Sequence, residues 1–415
     1  MGVRRSGRPV FDLDVCGGQA DPSHRHRHDG GLCAVHRRAV FATPNGCLNR
    51  MGRAAANDPG LVANLVKVAE RGPTTDLIKN LDARMEVFEA GDLTFPLSIS
   101  AAPNCYICCP STAYIDYGLE ETRHFASNPT LRAVLTGLII SCAPLVRATG
   151  LDHQVQPNNW LFSTNPVPKI TPSTARALRD GLLQRFPDRA IVMRSLNDAA
   201  DQDTITALKA AGFQILPARQ IYHFDPSLDH PPSTDMKNDA KLLATADYAQ
   251  VDGHSFSAED WTRAAMLYHM LYIGKYTDLN PQYTPSFLAQ AHQIGLLQIT
   301  GLRGTDDILD GVLGTFTNGG TMTTPLLGHD TCKPRDIGLY RMLSKIAQQR
   351  AIDNGLFYNR SAGAAAFKRN RNAVAAIEYT AVYVRHLGMT ARISTRIAQS
   401  VLTRIGVPVM QRYGL

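Results

Sequence analysis

The sequence predicts an α/β protein, in the wider α+β sense, built as two like lobes, each a mixed sheet flanked by helices. Three observations predict it. The order strand, helix, strand, helix, strand occurs twice, over 159–224 and over 310–385. A break rich in proline at 225–235, with Pro226, Pro231 and Pro232, separates the two runs. The length of 415 residues exceeds one ordinary domain and suits two of roughly 150–200 residues.

The first run opens with a strand at 159–164. A helix follows at 172–186, with Thr171 placed to cap its first N–H groups. Residues 190–194 read as a buried strand. A short helix at 203–211 is stopped by Gly212, and 213–224 is a long strand. In the second run, strands at 310–317 and 321–328 are joined by Asn318-Gly319-Gly320, a hairpin signal. Residues 338–353 form an amphipathic helix. Leu339, Met342, Leu343 and Ile346 mark its apolar face, and Asn354-Gly355 ends it. A short strand at 356–359, one or two helical turns at 364–369 and a β-prone strand at 377–385 complete the run. The matching order reads as an internal duplication. A helical insertion at 258–276 opens the second lobe, and a last helix at 391–405 packs on the outside. The expected division is an arm at 1–53, a first lobe at 54–230, a second lobe at 231–390 and a C-terminal helix at 391–415.

Composition excludes several classes. Hydrophobic residues make up 44% and charged residues 19%, which rules out wholesale disorder, collagen and coiled coil. The longest apolar stretch, 131–146, is broken by Arg132, Gly137, Ser141 and Pro144, and falls short of the roughly 18–20 residues of a membrane span. No early apolar segment follows the basic start, so no secretory leader is expected and the cytoplasm is the default location. Of the net charge of +7, residues 1–53 carry +5, from nine arginines against four aspartates. The body is nearly neutral, which argues against a nucleic-acid-binding face. The eight cysteines then read as reduced thiols.

Two clusters invite a metal reading. Cys16, His24, His26, His28, Cys33 and His36 lie in the arm, but no tight Cys-x-x-Cys pair occurs and arginines alternate with the histidines. A loosely ordered arm is expected instead. Cys105-Tyr-Ile-Cys108-Cys109 has no second pair to complete a site, and 104–109 reads as a buried strand carrying thiols. No metal is expected.

The chemistry concentrates at the junction Lys333-Pro334-Arg335-Asp336-Ile337-Gly338-Leu339-Tyr340-Arg341. A glycine at a helix start lets backbone N–H groups face an anion, and the helix dipole adds to the attraction. From Lys333 to Arg371 there are nine basic residues against two acidic ones. A phosphate-rich ligand explains both features. A solvated basic face with a chance glycine explains them too, and these residues alone do not decide.

Arg335-x-x-Gly338-x-Tyr340 resembles the pyrophosphate-binding signature of the GCN5-related N-acetyltransferase (GNAT) superfamily, Arg/Gln-x-x-Gly-x-Gly/Ala, with Tyr340 at the last small position. The stretch 359–369, Asn-Arg-Ser-Ala-Gly-Ala-Ala-Ala-Phe-Lys-Arg, is similar to the Fem-type and cellulose-biosynthesis-type branch. That branch carries a Gly-rich turn and a Phe-Lys pair after the fifth strand, and often pairs two GNAT-like lobes. The likeness covers roughly 290–387; Asn372 stands where the branch often has glycine. In the first lobe the equivalent junction, Asn165-Pro166-Val167-Pro168-Lys169, lacks glycine and reads as a degenerate copy.

The resemblance implies direct acyl transfer, with no covalent enzyme intermediate and no permanently bound cofactor. A thioester of coenzyme A or of an acyl carrier protein would lie between 321–328 and 356–359, and an amine-bearing small molecule would attack it. The reaction needs a base, an oxyanion donor and an aligning pocket. As base, Glu378 is flanked by Ile377 and Tyr379, where a carboxyl pKa would rise. Asp330, beside His329, serves as a second base or as a turn cap. Asn359 and Ser361 would hold the pantetheine or protonate the thiolate. Arg335, Gly338, Leu339, Tyr340 and Arg341 would hold the pyrophosphate. Lys368 and Arg369 meet a phosphate or form a solvated helix end. Tyr268, Tyr272 and Tyr276 share a helix face. With Lys275 and Asn280 they line an acceptor pocket, or they are core packing.

Two other readings stay open. Fem-type relatives use aminoacyl-tRNA, which the basic arm would grip. A non-catalytic GNAT-like module is the other, favoured by Tyr340. No Gly-x4-Gly-Lys-Ser/Thr, Gly-x-Ser-x-Gly or His-Glu-x-x-His occurs, which removes P-loop, nucleophile-elbow and zincin chemistry. Cys332 has only His329 nearby as a partner for covalent catalysis.

Overall fold

The computed structural model describes residues 57–125, 129–228 and 231–414. The arm, with its cysteines and histidines, lies outside the described residues. Among those described, the strands are β1 (Arg84–Ala90), β2 (Leu93–Ser100), β3 (Gln154–Pro157), β4 (Ala190–Asn197), β5 (Gln214–Phe224), β6 (Ala249–Asp252), β7 (Gln298–Arg303), β8 (Leu309–Asn318), β9 (Thr321–His329), β10 (Phe357–Asn359) and β11 (Val374–Tyr383). The helices are α1 (Pro59–Ala69), α2 (Tyr117–Phe125), α3 (Pro129–Ala148), α4 (Pro172–Arg185), α5 (Gln202–Ala210), α6 (Thr234–Thr245), α7 (Ala258–Tyr268), α8 (Pro285–Gln293), α9 (Leu339–Asp353), α10 (Ala365–Arg369), α11 (Met389–Val401) and α12 (Val407–Tyr413).

The repeated order is present as β3-α4-β4-α5-β5 and β9-α9-β10-α10-β11. All strands join one mixed sheet, ordered β1-β2-β3-β4-β11-β5-β10-β9-β8-β7-β6. The two halves exchange their last strands. β5 pairs with β10 of the second half, β11 pairs with β4 of the first, and β5 and β11 pair with each other, all antiparallel. A cut near residue 230 therefore leaves each half without the strand that completes its sheet.

Each half also contains one short parallel pair that then diverges. β3 meets β4 only at Gln154–Ala190 and Val155–Ile191. β9 meets β10 only at Thr321–Phe357, Met322–Tyr358 and Thr323–Asn359. Beyond Thr323, β9 continues six residues without β10, opening a wedge in the sheet.

Local chemistry sets these elements. The Thr171 side chain accepts from Thr174 N–H, and Pro172 occupies the first turn of α4, where its missing N–H costs nothing. Ser257 and Asp260 form a reciprocal capping box on α7. Gly319 (φ 58°) and Gly320 (φ 76°) supply the left-handed turn between β8 and β9. Gly328 lets α7 lie directly on β9: a Cβ there would stand 2.4 Å from Tyr268 N. Four apolar clusters result. One, around Trp160, Phe162, Phe287 and Phe316, binds the two halves together; two sit under α4–α5 and under α9, and a fourth gathers Leu151, Val192, Leu216 and Val382 on the other face of the central strands.

Four expectations need correction. The strand placed at 159–164 lies earlier, at β3. Asn158 (φ 61°) and Leu161 (φ 66°) are left-handed, and the Asn159 side chain accepts from Leu161 N–H, so the chain turns. Residues 104–109 form a turn closed by Cys108 N–H to Cys105 O, not a strand. The thiols are buried all the same, and burial pushes Cys105 up to about 12. The apolar run at 131–146 extends into the 20 residues of α3, which by length and composition is long enough to cross a membrane. The final helix runs on through a widened turn at Leu402–Gly406 into α12.

Candidate functional site

The wedge between β9 and β10 opens into a cavity of about 980 Å³. The start of α9 forms one wall. Gly338 precedes it with φ 77°, and no side chain caps the helix. The first N–H groups of α9 therefore face the cavity without a partner from the chain, at the positive end of a 15-residue helix. The first half differs: Thr171 caps α4 itself, and Asn165, Pro166 and Val167 are buried. That helix start is capped by its own chain and lies behind a buried loop.

Most of the residues singled out from the sequence meet here. Arg335, Gly338, Leu339, Tyr340, Arg341, Tyr268, Tyr272, Lys275, Tyr276, Asn280, Asp330, Ser361 and Lys368 all line the cavity. The tyrosine stripe is continuous. Tyr268 stacks on Tyr272 with ring centres 5.0 Å apart, and Tyr276 follows at 6.2 Å. Burial raises all three phenols, so they stay neutral. Tyr340 turns its ring edge-on to Phe367 at 4.9 Å and to His329 at 6.1 Å. Burial pushes its phenol up to about 12.

The structure gives several of these residues other partners. Glu378 is 2% exposed, lies outside this cavity and is paired to Arg219, with Nε to Oε1 at 2.8 Å and Nη2 to Oε2 at 3.2 Å. The guanidinium occupies the carboxylate, so Glu378 is not an unencumbered base. Asp330 accepts from Cys332 N–H at 2.8 Å and from Arg263 at 2.7 Å. Burial acts to raise its carboxyl, but these two donors prevail and hold it below the usual range, as befits a turn cap. Asn359 does not reach the cavity; its amide oxygen accepts from Ser361 N–H at 2.9 Å. Arg369 also lies outside it and donates to the Tyr222 hydroxyl at 3.2 Å.

Lys368 is buried, and its ammonium donates to three backbone carbonyls, of Arg360 (2.7 Å), Ser361 (3.1 Å) and Ala362 (2.7 Å). Burial, with Arg360 and Arg219 nearby, pushes its pKa well down. It clips the loop after β10 rather than presenting a charge to phosphate. Asn280 likewise donates to Tyr272 O at 3.0 Å and holds its own loop. Arg341 is bound to Asp239 at 2.7 Å, which also takes Arg371 at 2.5 Å. Arg335 stands exposed at the cavity rim.

Two groups gain weight from the structure. His329 ends β9, and on the same strand face Pro325 and Leu327 also line the cavity. Burial, reinforced by Lys275, lowers its pKa from 6.5, and its Nδ1 is buried without a hydrogen-bond partner. With Nδ1 closed off, a neutral imidazole here accepts a proton from the cavity at Nε2. The period-two pattern of β9 was the signal that could have found it. Arg360 is nearly buried at the cavity wall, donating to the Ser344 hydroxyl at 2.8 Å while its Nη1 has no partner. Its distance from the signature in sequence hid it.

No protein-family model and no curated protein matches the chain. Solved structures do. The structure of L-PGS from Bacillus licheniformis matches at 10% identity over 85% of this chain and 99% of that one, with TM-score 0.46. FemX matches at 9% identity over 82% and 98%, with TM-score 0.47. A GCN5-related N-acetyltransferase from Kribbella flavida matches at 16% identity over 55% and 80%, with TM-score 0.31. These likenesses are low, and the reading of the site rests on its own geometry.

Proposed function

We propose that the chain is an acyltransferase that moves an acyl group from a thioester, on coenzyme A or a carrier protein, to an amine. The observation that carries this reading is the uncapped start of α9 opening onto the wedge between β9 and β10. Phosphates of the donor sit on the N–H groups of Leu339, Tyr340 and Arg341, with Arg335 at the rim. The pantetheine follows the wedge. The main chain of β9 past Thr323, released from β10, offers N–H groups to the thioester oxygen as it becomes an oxyanion.

The amine enters between Lys275, Tyr272 and His329 as the neutral base. His329 Nε2, the ring nitrogen not shut off by burial, takes its proton as the nitrogen attacks the thioester carbon. The C–S bond then breaks, the thiolate takes a proton from the Tyr340 phenol in the cavity wall, and the imidazolium of His329, its ring 6.1 Å away, gives its proton back to the phenolate. No covalent enzyme intermediate is required.

A second reading has one observation in its favour. Arg341, within the signature, is paired to Asp239, a carboxylate it shares with Arg371, which leaves less free charge for a pyrophosphate. A donor carried on RNA, as an aminoacyl ester, would need fewer cations at this point. The test is release of free thiol from acetyl-, octanoyl- and dodecanoyl-coenzyme A in the presence of a panel of primary amines. Amine-dependent thiol release supports the thioester reading. Absence of release, with salt-sensitive binding of aminoacyl-tRNA, replaces it with the second.

A further inference from the structure

A second cavity, of about 320 Å³, lies beside the first. Its floor is the exchanged centre of the sheet, with Val192, Leu216, Ala218 and Thr380. Its roof is helical: Leu135, Ile139 and Cys142 from α3, and Ala398, Val401 and Val409 from the C-terminal helices. The lining is mostly apolar, with Thr122, Thr149, Gln154, Arg194, Glu378 and Thr380 as polar members besides the end that meets the active-site cavity. There Tyr106, Tyr117, Glu121, Arg219 and Ala362 line both spaces. Ala362 belongs to the loop that Lys368 clips, directly after β10. The donor side of the wedge therefore leads, past that loop and Arg219, into a mostly apolar chamber.

The roof leaves much apolar surface on its outer side. Along α3 only Leu135 and Ala143 are buried, while Val134 is 62% and Ile140 56% exposed. On α11, Met389 is 66% exposed, and Ile393 and Ile397 are each 47% exposed. A soluble helix seldom spends so many apolar residues on water without a partner of the same kind. Helices that are apolar on both faces can part and let an alkyl chain through.

We propose, resting on the thioester reading above, that this chamber receives the alkyl chain of a long-chain acyl donor. The occupant is assigned to the donor because the chamber joins the cleft at the loop beside the wedge. The acceptor end, at Lys275, Tyr272 and His329, is polar. Arg219 and Glu378, paired at the entrance, form a neutral collar that a methylene chain passes without stranding a charge. The chamber would thus set the acyl length that the enzyme accepts.

The test is binding of coenzyme A and of its acetyl, octanoyl and dodecanoyl thioesters, with lauric acid alone as a further probe, to the full chain and to Cys142→Trp and Val146→Trp. Both substitutions fill the roof away from the cleft, and two are used in case one fails to fold. The expected result is affinity rising about fourfold for each buried methylene, until the chamber is full. Either tryptophan abolishes that rise while leaving coenzyme A and acetyl-coenzyme A binding unchanged. Coenzyme A binding with no dependence on chain length, or a dependence that both tryptophans leave intact, overturns the inference but not the thioester reading. Lauric acid binding that the tryptophans abolish, with no coenzyme A thioester bound at all, overturns both and gives the chamber to a lipid other than the donor.

Discussion

Arg219 on β5 and Glu378 on β11 face each other in register across the centre of the exchanged sheet, joined by hydrogen bonds of 2.8 and 3.2 Å. One partner comes from each half, 159 positions apart in the chain. Arg219 also donates to Ser163 O and the Thr164 hydroxyl, so one guanidinium ties both halves and the loop at 158–165 to the edge of the site.

Glu378→Gln should therefore act on stability before chemistry. It leaves the Arg219 charge without its counter-ion. A fully buried pair would cost about 3–5 kcal/mol to break; Arg219 is 22% exposed, so about 2–3 kcal/mol is expected. The double variant Arg219→Met with Glu378→Leu should recover most of this, measured by urea unfolding. Once folded, the glutamine variant should keep its rate within about tenfold, whereas loss of a general base costs about 10²–10⁴.

His329→Gln should lower kcat by about 10²–10⁴ with little change in unfolding midpoint at pH 7. The pH dependence has a definite sign. Burial and Lys275 lower the imidazole from 6.5, so the base form is intact at neutral pH and kcat/KM should fall only below pH 6.5. In the glutamine variant that acid limb should vanish. The unfolded chain binds the proton more readily than the folded one. The contribution of His329 to stability is thus present above pH 6.5 and lost as the pH falls toward its depressed folded value.

Lys368→Met removes the clip on three carbonyls. The methylenes keep their packing, but the carbonyls of residues 360–362 lose their donor. A cost of about 2–3 kcal/mol is expected by urea unfolding, together with faster amide exchange in that loop. Direct phosphate binding by Lys368 would instead appear as a loss of donor affinity with stability unchanged.

Gly338→Ala tests the left-handed helix start. The conformation costs an alanine about 1–2 kcal/mol, and its Cβ would meet Leu242 Cδ2 at 2.6 Å. The first strains the helix start and the second crowds Leu242 on α6, so donor binding should weaken along with stability. Adding Leu242→Ala should relieve the second effect and leave the first.

The sequence carried the local signals well and the long-range ones poorly. The turn at Asn318-Gly319-Gly320, the Thr171 cap and the helix from Gly338 to Asp353 are written in a few adjacent residues, and the structure has them within one residue. The strand exchange is not written locally, because β5 and β11 are both β-prone and either order satisfies the same pattern. Glu378 looked like a carboxylate among apolar neighbours because Arg219 is distant in sequence. The turn at Asn158–Leu161 was hidden because β-prone Trp160 and Phe162 stand inside it, while the left-handed residues and the Asn159 side chain decide the path. The cavity drew together the helix-start signature and the tyrosine stripe, whereas Asn359, Arg369 and Glu378 face elsewhere.

The central claim is that the start of α9 holds the phosphates of a thioester donor. The most direct measurement is a thermal-shift titration with coenzyme A on the wild type, on Gly338→Trp and on Arg335→Glu. A ligand at about 100 times its dissociation constant adds roughly 2.7 kcal/mol, a readily measured rise in melting temperature. The account predicts a rise in the wild type that Gly338→Trp abolishes and Arg335→Glu reduces, the second variant guarding against misfolding of the first. No rise in the wild type, or a rise that both variants retain in full, would contradict it.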